Sequence, residues 1–242
     1  MNIKTITVLS TLSLSTLASA QHADLLLIQD NAGNLLTGQY DFNSGQILNT
    51  NTRVYEGEFD LFGTSDEPGF NALSQSNIPT GFQALAGNTA LNFDAHSFTI
   101  GTTTANLYHW DGTGQVNFTA ANNSLTISKA PSHIFSSLLD ATDTDVAGFD
   151  IGTTTADGFL HKHIDFALSD ISTNANGFYL WSFDLTVGGL AADPIFFVHG
   201  FGIHNEPAHE AAVDWVNTNI VPAPSTLALL LGLPALTSRR RR

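Results

Sequence analysis

The segment Phe178-Tyr-Leu-Trp-Ser-Phe-Asp-Leu-Thr-Val187 has the strongest strand pattern in this chain of 242 residues. Its large apolar side chains recur at every second position, which is the period of a strand with one face in a protein core. The residues on this face are Tyr179, Trp181, Phe183, Leu185 and Val187. Ser182, Asp184 and Thr186 take the opposite face. The alternation predicts a core strand of a β-sheet.

Two elements follow this strand. Residues 195 to 198 form a continuous apolar run, which is typical of a strand that is buried on both faces. From residue 207 to 218 the apolar spacing becomes helical, because His209, Ala212 and Val216 fall on one side of a helix. The sequence therefore predicts one short C-terminal helix.

Short strands and turns precede the segment at 178–187. Between residues 53 and 61, Tyr55, Phe59 and Leu61 alternate with acidic residues and are expected on the core face. Residues 63–90 are rich in Gly, Pro, Ser and Asn, which predicts a long excursion outside regular sheet. From residue 91 onward, short segments return between turn residues. This rhythm predicts an all-β fold, an antiparallel, jelly-roll-like β-sandwich.

The charge of the chain is uneven. All 22 acidic residues lie between the two ends, where the basic side chains other than histidine are Arg53, Lys129 and Lys162. Such a surface repels nucleic acid and attracts cations, so nucleic-acid binding is excluded. The chain has no cysteine, which excludes disulfides and thiolate-bound zinc.

The N-terminus has the pattern of a signal peptide. Lys4 precedes an apolar run from Ile6 to Leu17, and Ala18-Ser19-Ala20 is the small-residue pattern that a signal peptidase cleaves. We therefore expect residues 1–20 to be removed and the exported chain to start at Gln21.

The C-terminus has three parts in a fixed order. Prolines at 222 and 224 precede an apolar run from Leu227 to Leu236, and four arginines close the chain at Arg239 to Arg242. An apolar run followed by arginines places the arginines in the cytoplasm and the preceding chain across the membrane. The predicted organisation is a signal peptide (1–20), an exported β-sandwich domain (21–219) and a sorting or anchor tail (220–242).

This tail resembles the PEP-CTERM sorting signal of exported bacterial proteins, with Ala223 where that motif has glutamate. The resemblance implies an exosortase-type enzyme that recognises and cleaves the tail, and a protein of the cell envelope or extracellular matrix that is transiently anchored in the membrane. A permanent anchor is the alternative. The apolar run is too short to cross a hydrocarbon core of about 30 Å as a helix, and Pro234 interrupts it, which favours transient anchoring.

Histidines provide the candidate site. If residues 159–168 form one strand, His161, His163 and Asp165 lie in a row on the face opposite Leu160 and Phe166. Alternate imidazoles on a strand can bind one metal ion, and zinc or copper accepts such ligands.

A second group lies near the predicted helix. His199, His204, His209 and Glu210 fall within a short stretch, and His209 shares its helix side with apolar residues. We therefore predict that His161, His163 and His209 bind one divalent ion, with zinc favoured. The fourth ligand, or a residue that holds a ligand in place, is expected to be one of Asp165, His199, His204 and Glu210. In the alternative, His209 binds a backbone carbonyl, and His161 and His163 are solvated.

No catalytic motif was found. The chain lacks a Gly-x-Ser-x-Gly elbow, a nucleophilic cysteine and a His-Glu-x-x-His helix, so the sequence predicts a non-enzymatic protein. A metal-dependent hydrolase is the lesser alternative. The phrases Gly158-Phe-Leu-His-Lys-His-Ile-Asp-Phe166 and His209-Glu-Ala-Ala-Val-Asp-Trp-Val216 resemble a group of PEP-CTERM exoproteins linked to zinc-regulated expression.

The alternative function is that of an adhesion or structural module of the matrix that binds exopolysaccharide. It would require exposed aromatic side chains on one surface, and Trp110, beside Tyr108 and His109, is the candidate.

Overall fold

The computed structural model describes residues 23–41, 43–129, 132–172, 175–203 and 205–221. Within these ranges the chain is mostly β, with an α-helix near the C-terminal end. The predicted signal peptide and the sorting tail from residue 222 onward lie outside the described ranges. No helix within them is both long and apolar enough to cross a membrane.

The first half of the described chain contains twelve strands and a 3-10 helix at Gln75–Asn77. The strands are Asp24–Asp30 (β1), Leu35–Asp41 (β2), Gln46–Asn49 (β3), Val54–Glu58 (β4), Thr64–Ser65 (β5), Phe70–Ala72 (β6), Phe82–Gln83 (β7), Ala90–Ala95 (β8), Phe98–Ile100 (β9), Thr103–Ala105 (β10), Tyr108–Trp110 (β11) and Thr119–Ala120 (β12).

The second half contains eight strands and the helix. These elements are Leu125–Ser128 (β13), Ser136–Leu139 (β14), Asp150–Thr153 (β15), Leu160–Lys162 (β16), Asp165–Leu168 (β17), Gly177–Val187 (β18), Leu190–Ala191 (β19), Ile195–Phe201 (β20) and Glu206–Asn219 (α1).

The strands form three larger sheets and a small β9–β10 hairpin. Sheet I has the order β16-β6-β1-β2-β3, with β7 also paired to β1. Sheet II has the order β12-β11-β18-β20-β4, and β8, β15 and β19 extend it. Sheet III has the order β14-β13-β17-β5. Most pairs are antiparallel, whereas β1 with β6 and β20 with β4 are parallel.

Strand β18 organises the interior, as its alternation predicts. Tyr179, Trp181 and Phe183 are fully buried in the main core, which also receives residues from sheets I and III. The rings of Trp181 and Phe197 stack with centroids 5.4 Å apart. Each fully buried large apolar side chain contributes about 1.5–3 kcal/mol to the free energy of folding. The layers therefore pack around β18.

A second core covers the other face of sheet II. Phe178 and Leu180 of β18 point into it, and α1 packs there through Ala212 and Val216. The predicted helix is thus confirmed, with bounds one residue wider at each end. The run at 195–198 is buried on both faces as predicted, because its residues alternate between the two cores.

The prediction of a long excursion at 63–90 was wrong in one important respect. The three residues of β6 lie within it and pair on both sides, with β1 and with β16. All three are buried, so this short strand is an interior part of sheet I. Glycine and proline surround it, which hid its pattern.

The predicted strand at 159–168 is two strands in different sheets. Leu160, Ile164 and Phe166 all enter the main core, as expected. The chain leaves sheet I after Lys162, however, and joins sheet III at Asp165. The row of three polar side chains is therefore broken between His163 and Asp165.

Leu61 was wrongly predicted to face the core and is 85% exposed. Strand β4 ends at Glu58, and the Asp60 side chain then closes a tight turn by accepting hydrogen bonds from the backbone N–H groups of Phe62 and Thr64. The turn carries Leu61 away from the sheet.

Candidate functional site

The candidate site lies on the outer face of sheet I, at the end where β16, β6 and β1 lie side by side. In β16, Leu160 enters the main core and His161 points to the opposite face. His161 is directly opposite Asn71 of β6 in the register of the two strands. The outer face of a sheet is normally wet, yet the His161 side chain is only 27% exposed.

His163 follows β16 and turns back toward His161. The Nε2 atoms of the two rings lie 3.0 Å apart, and the His163 side chain is 29% exposed. The Nδ1 atom of His163 lies 2.8 Å from the carbonyl oxygen of Asp66. A carbonyl only accepts hydrogen bonds, so Nδ1 carries the hydrogen, and in the neutral ring Nε2 presents a lone pair. Metal-binding histidines are commonly oriented in this way by a backbone carbonyl.

Asp24, the first residue of β1, provides the carboxylate. It is 6% exposed, although an isolated buried carboxylate is costly. Its Oδ1 accepts a hydrogen bond from the N–H of Gly69, and its Oδ2 accepts one from Nδ2 of Asn71. The same Oδ2 lies 3.7 Å from Nε2 of His161. These bonds fix the carboxylate beside the two imidazoles.

The three side chains have the donor set and spacing of a metal site. One ligand atom from each of Asp24, His161 and His163 lies within 4.8 Å of the others. Two ligands bound at about 2.1 Å to a tetrahedral zinc ion lie about 3.4 Å from each other. The nitrogen–nitrogen distance of 3.0 Å and the nitrogen–oxygen distance of 3.7 Å lie on either side of that value. These two distances are therefore close to those between the ligands of a bound divalent ion.

Gly69 leaves the space in which the site is assembled. A Cβ atom at this position would lie 2.6 Å from Cε1 of His163 and 2.9 Å from Oδ1 of Asp24. Any larger residue would push the two ligands apart. The glycine also contributes its N–H to Asp24, so it both holds the carboxylate and makes room for the imidazole.

The electrostatics of the site favour a neutral imidazole at His161 and affect a second carboxyl group nearby. Partial burial, followed by the neighbouring His163, lowers the pKa of His161, against the opposing effect of Asp24. Neutral imidazole is the form that binds metal ions. Burial, followed by repulsion from Asp24, raises the pKa of Glu67, whose Oε1 lies 4.0 Å from Nδ1 of His163.

The structure does not bring His209 to this pair. Its Nδ1 lies 3.1 Å from Oε1 of Glu58, and its Nε2 bonds the carbonyl oxygen of Val198. His209 belongs to α1 on the far side of sheet II, whereas His161 is on the outer face of sheet I. Sheet I, the main core and sheet II lie between them. The predicted three-histidine cluster is therefore corrected, and the carbonyl-bonded alternative for His209 is what the structure has.

The other candidate ligands also lie elsewhere. Asp165 is in sheet III, where its Oδ2 lies 3.3 Å from Nδ1 of His133. His199 is fully buried in the main core, with its ring centroid 4.7 Å from that of Trp181. Glu210 is exposed on α1. His204 lies outside the described residues.

The aromatic candidate for polysaccharide binding is also buried. Trp110 is 4% exposed, and its Nε1 donates to the carbonyl oxygen of Thr113, while Tyr108 is fully buried. Their rings therefore do not form an open stacking platform.

Two residues of the site were missed by sequence reasoning, namely Asp24 and Asn71. Asp24 immediately precedes the apolar run of β1, so a carboxylate beside a buried strand was a visible signal. Asn71 lies in a segment whose composition predicted no strand. No family model, no curated protein and no solved structure matches this chain.

Proposed function

We propose that this is an exported, non-enzymatic protein of the cell envelope or extracellular matrix, which binds a divalent transition-metal ion such as zinc through Asp24, His161 and His163. The observation that carries the proposal is the convergence of the three ligand atoms within 4.8 Å. The fixed tautomer of His163 and the buried, doubly hydrogen-bonded carboxylate of Asp24 support it. The complete or partial burial of these three side chains distinguishes the site from an exposed acidic turn and from a solvated strand face.

The location outside the cytoplasm is supported by the two chain ends. The signal-peptide pattern at 1–20 and the PEP-CTERM-like tail at 220–242 fit export, cleavage by signal peptidase and processing by an exosortase-type enzyme. The absence of cysteine leaves histidine and carboxylate as the strongest metal ligands in the chain. We also propose that the packed sheets form a jelly-roll-like sandwich, which an experimental structure would test.

The metal proposal is tested with the full-length chain, purified in detergent with an affinity tag that contains no histidine. The chain is exposed to Zn²⁺, freed of loose metal by gel filtration and analysed for its elements. We expect about one zinc ion per chain, and about ten- to hundredfold weaker binding in His161→Ala, His163→Ala and Asp24→Asn.

His133→Ala is the matched control, because His133 is 61% exposed and its Nδ1 contacts Asp165 and Ser128, neither of which is a proposed ligand. It should bind zinc like the wild type. Stoichiometric zinc that survives in all three site variants would refute the assignment, as would a wild-type chain that retains no divalent transition metal.

A further inference from the structure

Asn71 is a polar residue in an unusual position. It is the central residue of β6, lies opposite His161 and beside Leu26 of β1, and is only 1% exposed. A buried amide normally has partners for both its oxygen and its nitrogen. The hydrogen-bond partners of this amide therefore indicate what the candidate metal site holds.

Only one half of the Asn71 amide has a partner among the described residues. Nδ2 donates to Oδ2 of Asp24 at 2.5 Å. Oδ1 is buried and has no hydrogen-bond partner there. The two amide atoms share one carbon; the strand register places His161 opposite Asn71, and the hydrogen bond from Nδ2 holds the Asp24 carboxylate beside the amide. The unpartnered oxygen therefore lies within the same small site as the proposed ligands.

We infer that Oδ1 of Asn71 is the fourth protein ligand of the metal ion, an inference that rests on the proposed function. A cation is the partner that this buried oxygen lacks, and two imidazole nitrogens, one carboxylate oxygen and one amide oxygen complete a four-coordinate set. Sites closed by four protein ligands bind metal ions without leaving a position for substrate, whereas catalytic sites keep one position open. The inference thus assigns the site to binding of the ion itself.

The Asn71 amide could support a bound metal ion either as a ligand through Oδ1 or by orienting Asp24 through Nδ2. Two substitutions distinguish these roles. Asn71→Leu has a similar size but removes both the oxygen and the Nδ2 donor. Asn71→Asp restores an oxygen at the site and still lacks the donor to Asp24. A ligand role predicts that only the leucine variant loses affinity, whereas a role limited to orienting Asp24 predicts that both do.

The experiment measures zinc affinity of the full-length chain by competition with a chromophoric chelator. We expect Asn71→Leu to bind about ten- to hundredfold more weakly, and Asn71→Asp to stay within about threefold of the wild type. The visible absorption bands of Co²⁺-loaded protein should shift in Asn71→Leu, because the number of ligands changes. Asn92→Leu, at an exposed position of β8, should change neither property.

Three results would overturn the inference. Affinity of Asn71→Leu within twofold of the wild type would show that the oxygen is not a ligand. Equal losses in the leucine and aspartate variants would assign Asn71 to orienting Asp24 alone. A wild-type chain that takes up neither Zn²⁺ nor Co²⁺ would remove the proposed function together with the inference. Circular dichroism of each metal-free variant checks that a loss of affinity does not come from unfolding.

Discussion

The Nε2 atoms of His161 and His163 lie 3.0 Å apart, although the strand that carries His161 ends between the two residues. Their contact depends on Asp66, whose carbonyl oxygen bonds the far nitrogen of His163 and turns its lone pair toward His161. Without a metal ion, a hydrogen on Nε2 of His161 can occupy the space between the rings. An ion bound at Nε2 would require this hydrogen to move to Nδ1 of the same neutral ring, so metal binding would select the other tautomer of His161.

Gly69→Ala should weaken zinc binding by about tenfold or more, because the added methyl group would lie 2.6 Å from the His163 ring and 2.9 Å from the Asp24 carboxylate. Affinity is measured by competition with a chelator. The control is Gly200→Ala, whose Cβ would meet Glu58 at 2.5 Å on the far side of sheet II. The control should keep wild-type affinity, and an equal loss in both variants would contradict a local effect.

The His209–Glu58 pair should make the attachment of α1 depend on pH. Burial lowers the pKa of His209, but the hydrogen bonds to Glu58 and to the Val198 carbonyl outweigh burial, so the net pKa is raised above its ordinary value. A histidine with a raised pKa in the folded state stabilises the fold fully below its unfolded pKa of about 6.5. This contribution is lost as the pH rises through the folded-state pKa.

The measurement is the difference in free energy of unfolding between wild type and Glu58→Gln, from urea titrations between about pH 5.5 and 9. The difference should be largest at the acidic end and shrink as the pH increases. His161, whose pKa is lowered, makes an opposite contribution to the pH dependence of stability. This contribution is the same in both proteins and cancels in the difference. A difference that does not fall as the pH rises would contradict a raised pKa of His209 in the folded chain.

Trp181→Ala should lower the free energy of unfolding by about 3–5 kcal/mol. Trp181 is fully buried, and its ring packs against Phe166 and Phe197 with centroid distances of 5.5 and 5.4 Å. Urea unfolding provides the measurement. Leu61→Ala, at a position that is 85% exposed, should change the free energy by less than about 0.5 kcal/mol. A loss below about 1 kcal/mol in Trp181→Ala would contradict the central place of β18.

Intact-mass analysis of protein from the cell envelope should show a chain that begins at Gln21 and lacks Arg239 to Arg242. The expectation follows from the Ala18-Ser19-Ala20 pattern and from the order of proline, apolar run and arginines in the tail. Mature protein that still carries the four arginines would favour a permanent anchor.

The sequence alone determined the features that depend on local periodicity. The alternation in residues 178–187 identified β18 and its core face, and the helical spacing after Glu206 identified α1. The proximity of His161 and His163 was also predicted from their spacing of two residues. In the structure the strand ends at Lys162, and His163 turns back to meet His161.

The residues that complete the site depend on strand pairing between distant segments. Asp24 and Asn71 reach His161 because β6 pairs with both β1 and β16, and such pairing between distant segments has no local periodic signal. His209 had the right chemistry and a buried helix face, yet the order of the layers places it behind sheet II. Periodicity tells which way a side chain points within its own strand or helix, whereas the order of strands and layers decides which side chains it meets.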